Sequence, residues 1–213
     1  YINPPTNKSF TIEVQAFLPN QQNDRQVLLQ KISKDLSQGF TLHLEPSSTS
    51  TVDGVFIITS GSVNNYVTAS LTKGKFNHIC VSLNRDAGSN FLQFFVDEKL
   101  TSESKKEKSF QDITDNSDLL IGSGSSFYFN NILTTPTQTF SGTLDELRIF
   151  HSYRTQQQQS LYSSKGLYAS DSLKLYYRFN EPSSSLSSNI NDPVNSIVLD
   201  SSGNSLHSFV SNC

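Results

Sequence analysis

Phe10-Thr11-Ile12-Glu13-Val14-Gln15-Ala16 sets an apolar residue at every second position, with Thr, Glu and Gln between them. Successive side chains of an extended strand point to opposite faces, so this order makes one oily side and one polar side. The same period of two returns along the chain. Phe40, Leu42 and Leu44 alternate with Thr41 and His43, while Ile79, Val81 and Leu83 share a face. Leu92, Phe94 and Val96 form another such set, and residues 144–150 and 173–179 read as two further strands. Turn-forming stretches punctuate them: Pro19-Asn20-Gln21-Gln22-Asn23-Asp24, residues 46–54, Asp86-Ala87-Gly88-Ser89-Asn90 and Gly122-Ser123-Gly124. Short strands with such punctuation predict an all-β sandwich or barrel.

Composition agrees. The 213 residues can bury one substantial core, and fifteen Phe and eight Tyr demand burial or a contact surface. Charged residues are only 16% of the chain and the net charge is −3, so nothing electrostatic points to nucleic acid. The basic cluster of Lys105, Lys106 and Lys108 is interleaved with Glu103 and Glu107 and reads as a solvated loop. The longest apolar run, Val55-Phe56-Ile57-Ile58, fits a buried strand and not a membrane span.

Residues 155–162 form the one helix candidate, with Thr155 able to cap its first turn and a rim position expected. Residues 127–136 read as a loop carrying exposed rings, and residues 183–188 as a flexible Ser-rich segment. Cys80 sits in an alternating stretch and reads as a free buried thiol, with a bridge to Cys213 as the alternative. Asn7-Lys8-Ser9 is the only N-glycosylation acceptor pattern.

Several segments, in order, resemble laminin-G-like jelly rolls of the concanavalin A-like lectin/glucanase superfamily. Ser9-Phe10-Thr11-Ile12-Glu13-Val14 looks like the early core strand, and Leu28-Leu29-Gln30-Lys31 with Gly39-Phe40-Thr41-Leu42 like the next hairpin. Lys73-Gly74-Lys75-Phe76-Asn77-His78-Ile79-Cys80-Val81 resembles a central strand, with Phe76 where the family usually has Trp. Leu92 to Leu100 resembles the following strand and tight turn, with Glu98 where Gly is commoner, and Leu120-Ile121-Gly122 the short strand after it. Phe140-Ser141-Gly142-Thr143-Leu144-Asp145-Glu146-Leu147-Arg148-Ile149-Phe150 looks like the closing strand. The resemblance implies an antiparallel two-sheet jelly-roll sandwich over residues 1–165. Residues 166–213 resemble the family's opening strands, through Leu173 to Glu181 and Leu199-Asp200-Ser201-Ser202-Gly203-Asn204. That segment is expected either to complete the sandwich or to start a next copy, and either arrangement implies a piece of something larger.

Catalysis needs its own support, because enzymes share this fold. Retaining glycosidases need two carboxyl groups about 5 Å apart. The glucanase relatives supply them as Glu-x-Asp-x-Glu on one strand, a pattern absent here. Asp145 and Glu146 are adjacent and are expected on opposite faces. His43 on a polar strand face, His78, His151 and His207 lie in no nucleophile motif and read as structural or exposed. Cys and His show no zinc spacing. The resemblance implies a calcium site at the sandwich edge, where Asp145 and Asp200 match the family's positions. Otherwise Asp145 accepts a backbone hydrogen bond and Asp200 makes an Asx-turn. Tyr66, Tyr128 and Phe129 are the rings available to a glycan, with partial burial against a sheet as the alternative.

The expectation is therefore a non-catalytic recognition or adhesion module, extracellular or on a cell or virion surface. It would bind glycan or a surface or matrix protein beside neighbouring domains of the same polypeptide. An architectural spacer and a glycoside hydrolase are the alternatives.

Overall fold

The structure, a computed structural model, describes residues 2–3, 7–60, 63–86, 88, 90–106, 112–181 and 197–210. In chain order these form β1 (Phe10–Phe17), β2 (Gln26–Ile32), β3 (Gln38–Pro46), β4 (Thr51–Ser60), β5 (Val63–Thr72) and β6 (Phe76–Asn84). There follow β7 (Asn90–Val96), β8 (Lys99–Lys106), β9 (Leu120–Ile121), β10 (Phe127–Phe129), β11 (Ile132–Thr134) and β12 (Thr143–Phe150). The helix α1 (Gln156–Tyr162) precedes β13 (Leu173–Tyr177), β14 (Ile197–Val198) and β15 (Ser208–Phe209). The larger sheet has six strands in the order β13-β12-β1-β6-β7-β8, and the smaller has five, β5-β4-β3-β2-β9. All pairings within both are antiparallel. The result is the two-sheet sandwich that the alternating segments imply.

β1 shows how alternation becomes packing. Phe10, Ile12, Val14 and Ala16 are all buried between the sheets. The Phe10 ring meets Phe40 of β3 at 5.9 Å and Phe56 of β4 at 6.4 Å between centroids. Each such side chain removed from water contributes roughly 1.5–3 kcal/mol. Leu147 and Ile149 of β12 and Leu175 and Tyr177 of β13 extend the same core. Gly54 marks a close approach inside the core: a Cβ there would stand 2.8 Å from Leu71 and 2.9 Å from Phe94. Any larger residue would have to wedge the packed layers apart.

Four local expectations are corrected. First, Asp145 and Glu146 do not point to opposite faces. Gln15 faces Asp145 while Glu13 faces Arg148, so Glu146 and Leu147 together oppose Val14. Glu146 takes φ +52° at this bulge. Leu147 stays in the core, and Glu146 joins Asp145 on the outer side, where it meets Arg148 and Tyr176. Second, α1 is no rim helix. Thr155 and Gln158 close a capping box, and Gln159 is fully buried. The turn after α1 is tied to the outer face of the larger sheet, where Arg148 donates to the carbonyls of Tyr162 and Lys165 at 2.8 and 2.7 Å. Third, Lys105 and Lys106 end β8 and are not in a loop, while Lys108 lies outside the described residues. Fourth, residues 127–134 are a β-hairpin and not an irregular loop.

Cys80 is buried and free, and Cys213, like residues 183–188, lies outside the described residues. β13 pairs with β12, so the C-terminal segment adds an edge strand to the larger sheet.

Candidate functional site

The hairpin of β10 and β11 turns at Asn130 and Asn131, whose φ angles are +51° and +61°. Two consecutive residues with positive φ make a two-residue turn whose twist matches the flanking strands, and Asn tolerates that geometry better than most residues. The register pairs Phe127 with Thr134, Tyr128 with Leu133 and Phe129 with Ile132. Alternation then sends Phe127 and Phe129 towards the outer face of the smaller sheet and Tyr128 with Leu133 away from it.

Beneath the hairpin that sheet face is apolar. Val27, Val55 and Ile57 are buried with Phe127, and Ile32 and Phe129 pack against them. The rings form a ladder. His43 lies 4.7 Å from Phe127 and 5.4 Å from Phe129, and Phe129 meets Tyr66 edge-on at 5.1 Å. Phe127 is fully buried, whereas Tyr66 remains 38% exposed at the far end. Beyond Tyr66, Thr68 and Ser70 follow on the same side of β5, both exposed. Asp53 of β4 stands opposite Ser70. An aromatic edge followed by hydroxyls and one carboxylate can offer a sugar both stacking and hydrogen bonds.

The structure therefore brings Tyr66 and Phe129 into contact, and it places Tyr128 on the hairpin's other side. Tyr128 is 40% exposed beside Leu133 at 55% and Ile132 at 67%. His43 lies buried beneath the hairpin and not on an open polar face. Its Nε2–H donates to Glu45 Oε1 at 3.0 Å, and Arg25 clamps the same carboxylate with bonds of 2.5 and 2.9 Å. Burial alone would raise the Glu45 carboxyl, but these hydrogen bonds outweigh it and bring it down to about 2. Burial pushes His43 below its ordinary value, leaving a neutral ring whose Nδ1 finds no partner among the described residues.

The outer face of the larger sheet is covered over β1 and β12. Glu13 is buried between Arg154 Nε at 3.1 Å and Arg148 Nη1 at 3.5 Å. Arg154 lies over the rings of Phe150 and Tyr162 at 4.5 and 5.4 Å, and Arg148 over Tyr176 at 5.1 Å. The Cys80 thiol on this face is pushed up by burial and by Glu13. Glu13 is thus fully buried and held by two arginines.

Asp200 accepts from the backbone N–H groups of Tyr176, Ser202 and Leu206 and from the Ser202 hydroxyl. Asp145 accepts from the Glu146 N–H at 2.9 Å, and burial raises its carboxyl. A cation at Asp200 would have to displace four protein donors, so the residues present do not fit a ready-made calcium site. Among the described residues, no group of three or more His, Cys, Asp or Glu could hold a metal ion. No helix among them is long and apolar enough to cross a membrane.

A family model described as the concanavalin A-like lectin/glucanases superfamily matches residues 3–158. No curated protein matches the sequence. Among solved structures, a candidate carbohydrate binding protein from Bacteroides ovatus ATCC 8483 aligns with a TM-score of 0.64 at 17% identity. That alignment covers 98% of this chain and 54% of the other, so the chain spans about half of that relative. Domains LG4-5 of the mouse laminin alpha1 chain align at TM-score 0.53 and 12% identity, covering 73% of this chain and 40% of that one. The Ruminococcus gnavus IT-sialidase CBM40 bound to alpha2,3 sialyllactose aligns at 0.52 and 10% identity, covering 72% and 82%.

Proposed function

Because the chain belongs to the concanavalin A-like lectin/glucanases superfamily, we propose that it is a non-catalytic recognition module that binds glycan through the outer face of its smaller sheet. The carrying observation is the ring ladder from Phe127 through His43 and Phe129 to the exposed Tyr66, continued by Thr68, Ser70 and Asp53. The ladder fixes Tyr66 before any ligand arrives, so little conformational freedom is lost on binding. The fold shared with the Bacteroides ovatus candidate carbohydrate binding protein and with CBM40 supports the same reading. Such a module would work outside the cell or on a surface, beside other domains of a larger polypeptide.

A glycan array with the purified chain tests this, with and without added calcium. Binding is expected to at least one glycan class, and Tyr66→Ala should weaken it roughly tenfold, equivalent to about 1.4 kcal/mol. A blank array would favour an architectural role, and binding untouched by Tyr66→Ala would move the site elsewhere. A reducing-sugar assay on the bound glycans should stay at background; turnover would overturn the non-catalytic reading.

A further inference from the structure

A cleft of about 440 Å³ opens far from the hairpin, lined by Asn3, His151, Lys174, Asn204 and Leu206. It exists only because the C-terminal segment packs beside β12: His151 directly follows that strand, Lys174 belongs to β13, and Asn204 and Leu206 flank the Asp200 turn. Its size falls within the range of small-ligand sites. A smaller cleft of about 210 Å³ adjoins it at Asn3 and Leu206. Lys31 in that second cleft is already committed to the carbonyls of Asp115 and Ser117.

Each polar group in the larger cleft has a readable hydrogen-bonding capacity. The His151 Nε2 lies 3.2 Å from the Ile2 carbonyl, which can only accept, so Nε2 carries the proton. Burial and the nearby Lys174 charge keep the ring neutral, which leaves Nδ1 as an acceptor. Asn204 spends its Nδ2 on the carbonyls of Leu173 and Lys174 and on Ser202 Oγ. Its Oδ1 remains as an acceptor. Asn3 donates through Nδ2 to the Asp115 carbonyl at 3.0 Å, and its buried Oδ1 has no partner among the described residues. Among those residues, no carboxylate lies within ion-pair distance of the Lys174 ammonium. No acid lines this cleft; Asp200, close in sequence to Asn204, has its oxygens filled by its own turn, and Asp118 lines the adjoining cleft.

The cleft therefore presents acceptors on His151 and Asn204, the Lys174 cation and the aliphatic Leu206. The complement of that set is a ligand with several hydroxyl donors, a single negative charge and a short apolar surface. One Lys supplies a single positive charge, which balances one carboxylate better than the charge of about −1.5 to −2 on a phosphate monoester. We propose that this cleft is a second binding site, independent of the Tyr66 face, for a small hydroxylated monocarboxylate of the uronic acid class.

Sodium D-glucuronate, D-glucose and sodium acetate, titrated into the isotopically labelled full chain and followed by NMR shifts, provide the test. Glucuronate should saturate with a Kd on the order of 1 mM, the range that ligand efficiency allows for so small a molecule. Glucose lacks the charge and acetate lacks the hydroxyls, so each should bind at least about tenfold more weakly. Lys174→Ala and the milder Lys174→Gln should each weaken glucuronate by about tenfold while the spectrum stays dispersed, and Tyr66→Ala should leave it unchanged. Failure of glucuronate to saturate, equal binding of glucose or acetate, or indifference to both Lys174 variants would each overturn the site. Because Tyr66→Ala tests only the glycan face, the two proposals can fail separately.

Discussion

The two sheets cover their outer faces by opposite chemistry. The smaller sheet lays a short hairpin over Val27, Val55, Ile57 and His43, and its cover is almost wholly apolar and aromatic. The larger sheet instead buries Glu13 with Arg148 and Arg154 under the segment that contains α1. An apolar cover can stop anywhere along a strand, because each added ring gains independently from burial. A buried charge network must be complete, since any member left alone pays its whole desolvation cost. Hence the first face ends in an open aromatic edge at Tyr66, while the second is covered over β1 and β12. A recognition surface fits the former.

The sharpest way to break that contrast is Arg148→Ala. It leaves Glu13 with Arg154 alone, takes the arginine from Glu146 and leaves the Tyr162 and Lys165 carbonyls without their donor, so it should cost about 3–5 kcal/mol in urea unfolding. A loss below about 1 kcal/mol would mean that the network is not the lock described above. Next comes Phe127→Ala, which empties the pocket beneath the hairpin and should cost about 3 kcal/mol. It should also speed amide exchange at residues 127–134 more than in β12, which would localise the damage to one face.

The smallest effect concerns acid. His43 titrates below its unfolded value near 6.5, so the unfolded chain takes up a proton that the folded chain refuses. Stability is then flat above about pH 6.5 and declines as pH falls from there. His78 and His151 are shifted the same way by burial, so His43→Leu should remove only part of that decline. Glu45 has the carboxylate pattern: its contribution is present above about pH 4.5 and is lost as pH falls towards 2. Melting temperatures of the native chain and His43→Leu between about pH 8 and pH 5 check the sign. A native curve that rises on acidification would contradict it.

Much of this architecture could be read beforehand, because burial on one side writes itself as alternation. β1, β3, β6, β7 and β12 all carry that mark. The hairpin was legible as well, in Asn130-Asn131 between Phe127-Tyr128-Phe129 and Ile132-Leu133-Thr134, a turn pair between alternating strands. Read as a loop, it hid the burial of Phe127 and His43. His43 itself could not be placed from its own strand, since its cover comes from a segment more than eighty residues later. Glu146 defeated the parity rule for a related reason. A bulge adds one residue to one strand, and no periodicity in β12 alone reveals where its partner skips a place. The Tyr66–Phe129 contact joins β5 to the hairpin, and neither stretch alone shows it.

β1 lies in the middle of its sheet, yet the strand on one of its sides arrives very late. Thr11 Oγ1 donates to the carbonyl of Ser152, 141 residues downstream. A ribosome at work on this chain thus releases β1 long before β12 exists, with one row of its backbone amides unclaimed. Loop-closure entropy over that distance favours slow collapse, and an unpaired edge invites strands from other nascent copies. Chains halted before residue 143 should consequently be clients for chaperones, whereas completed chains protect that edge themselves.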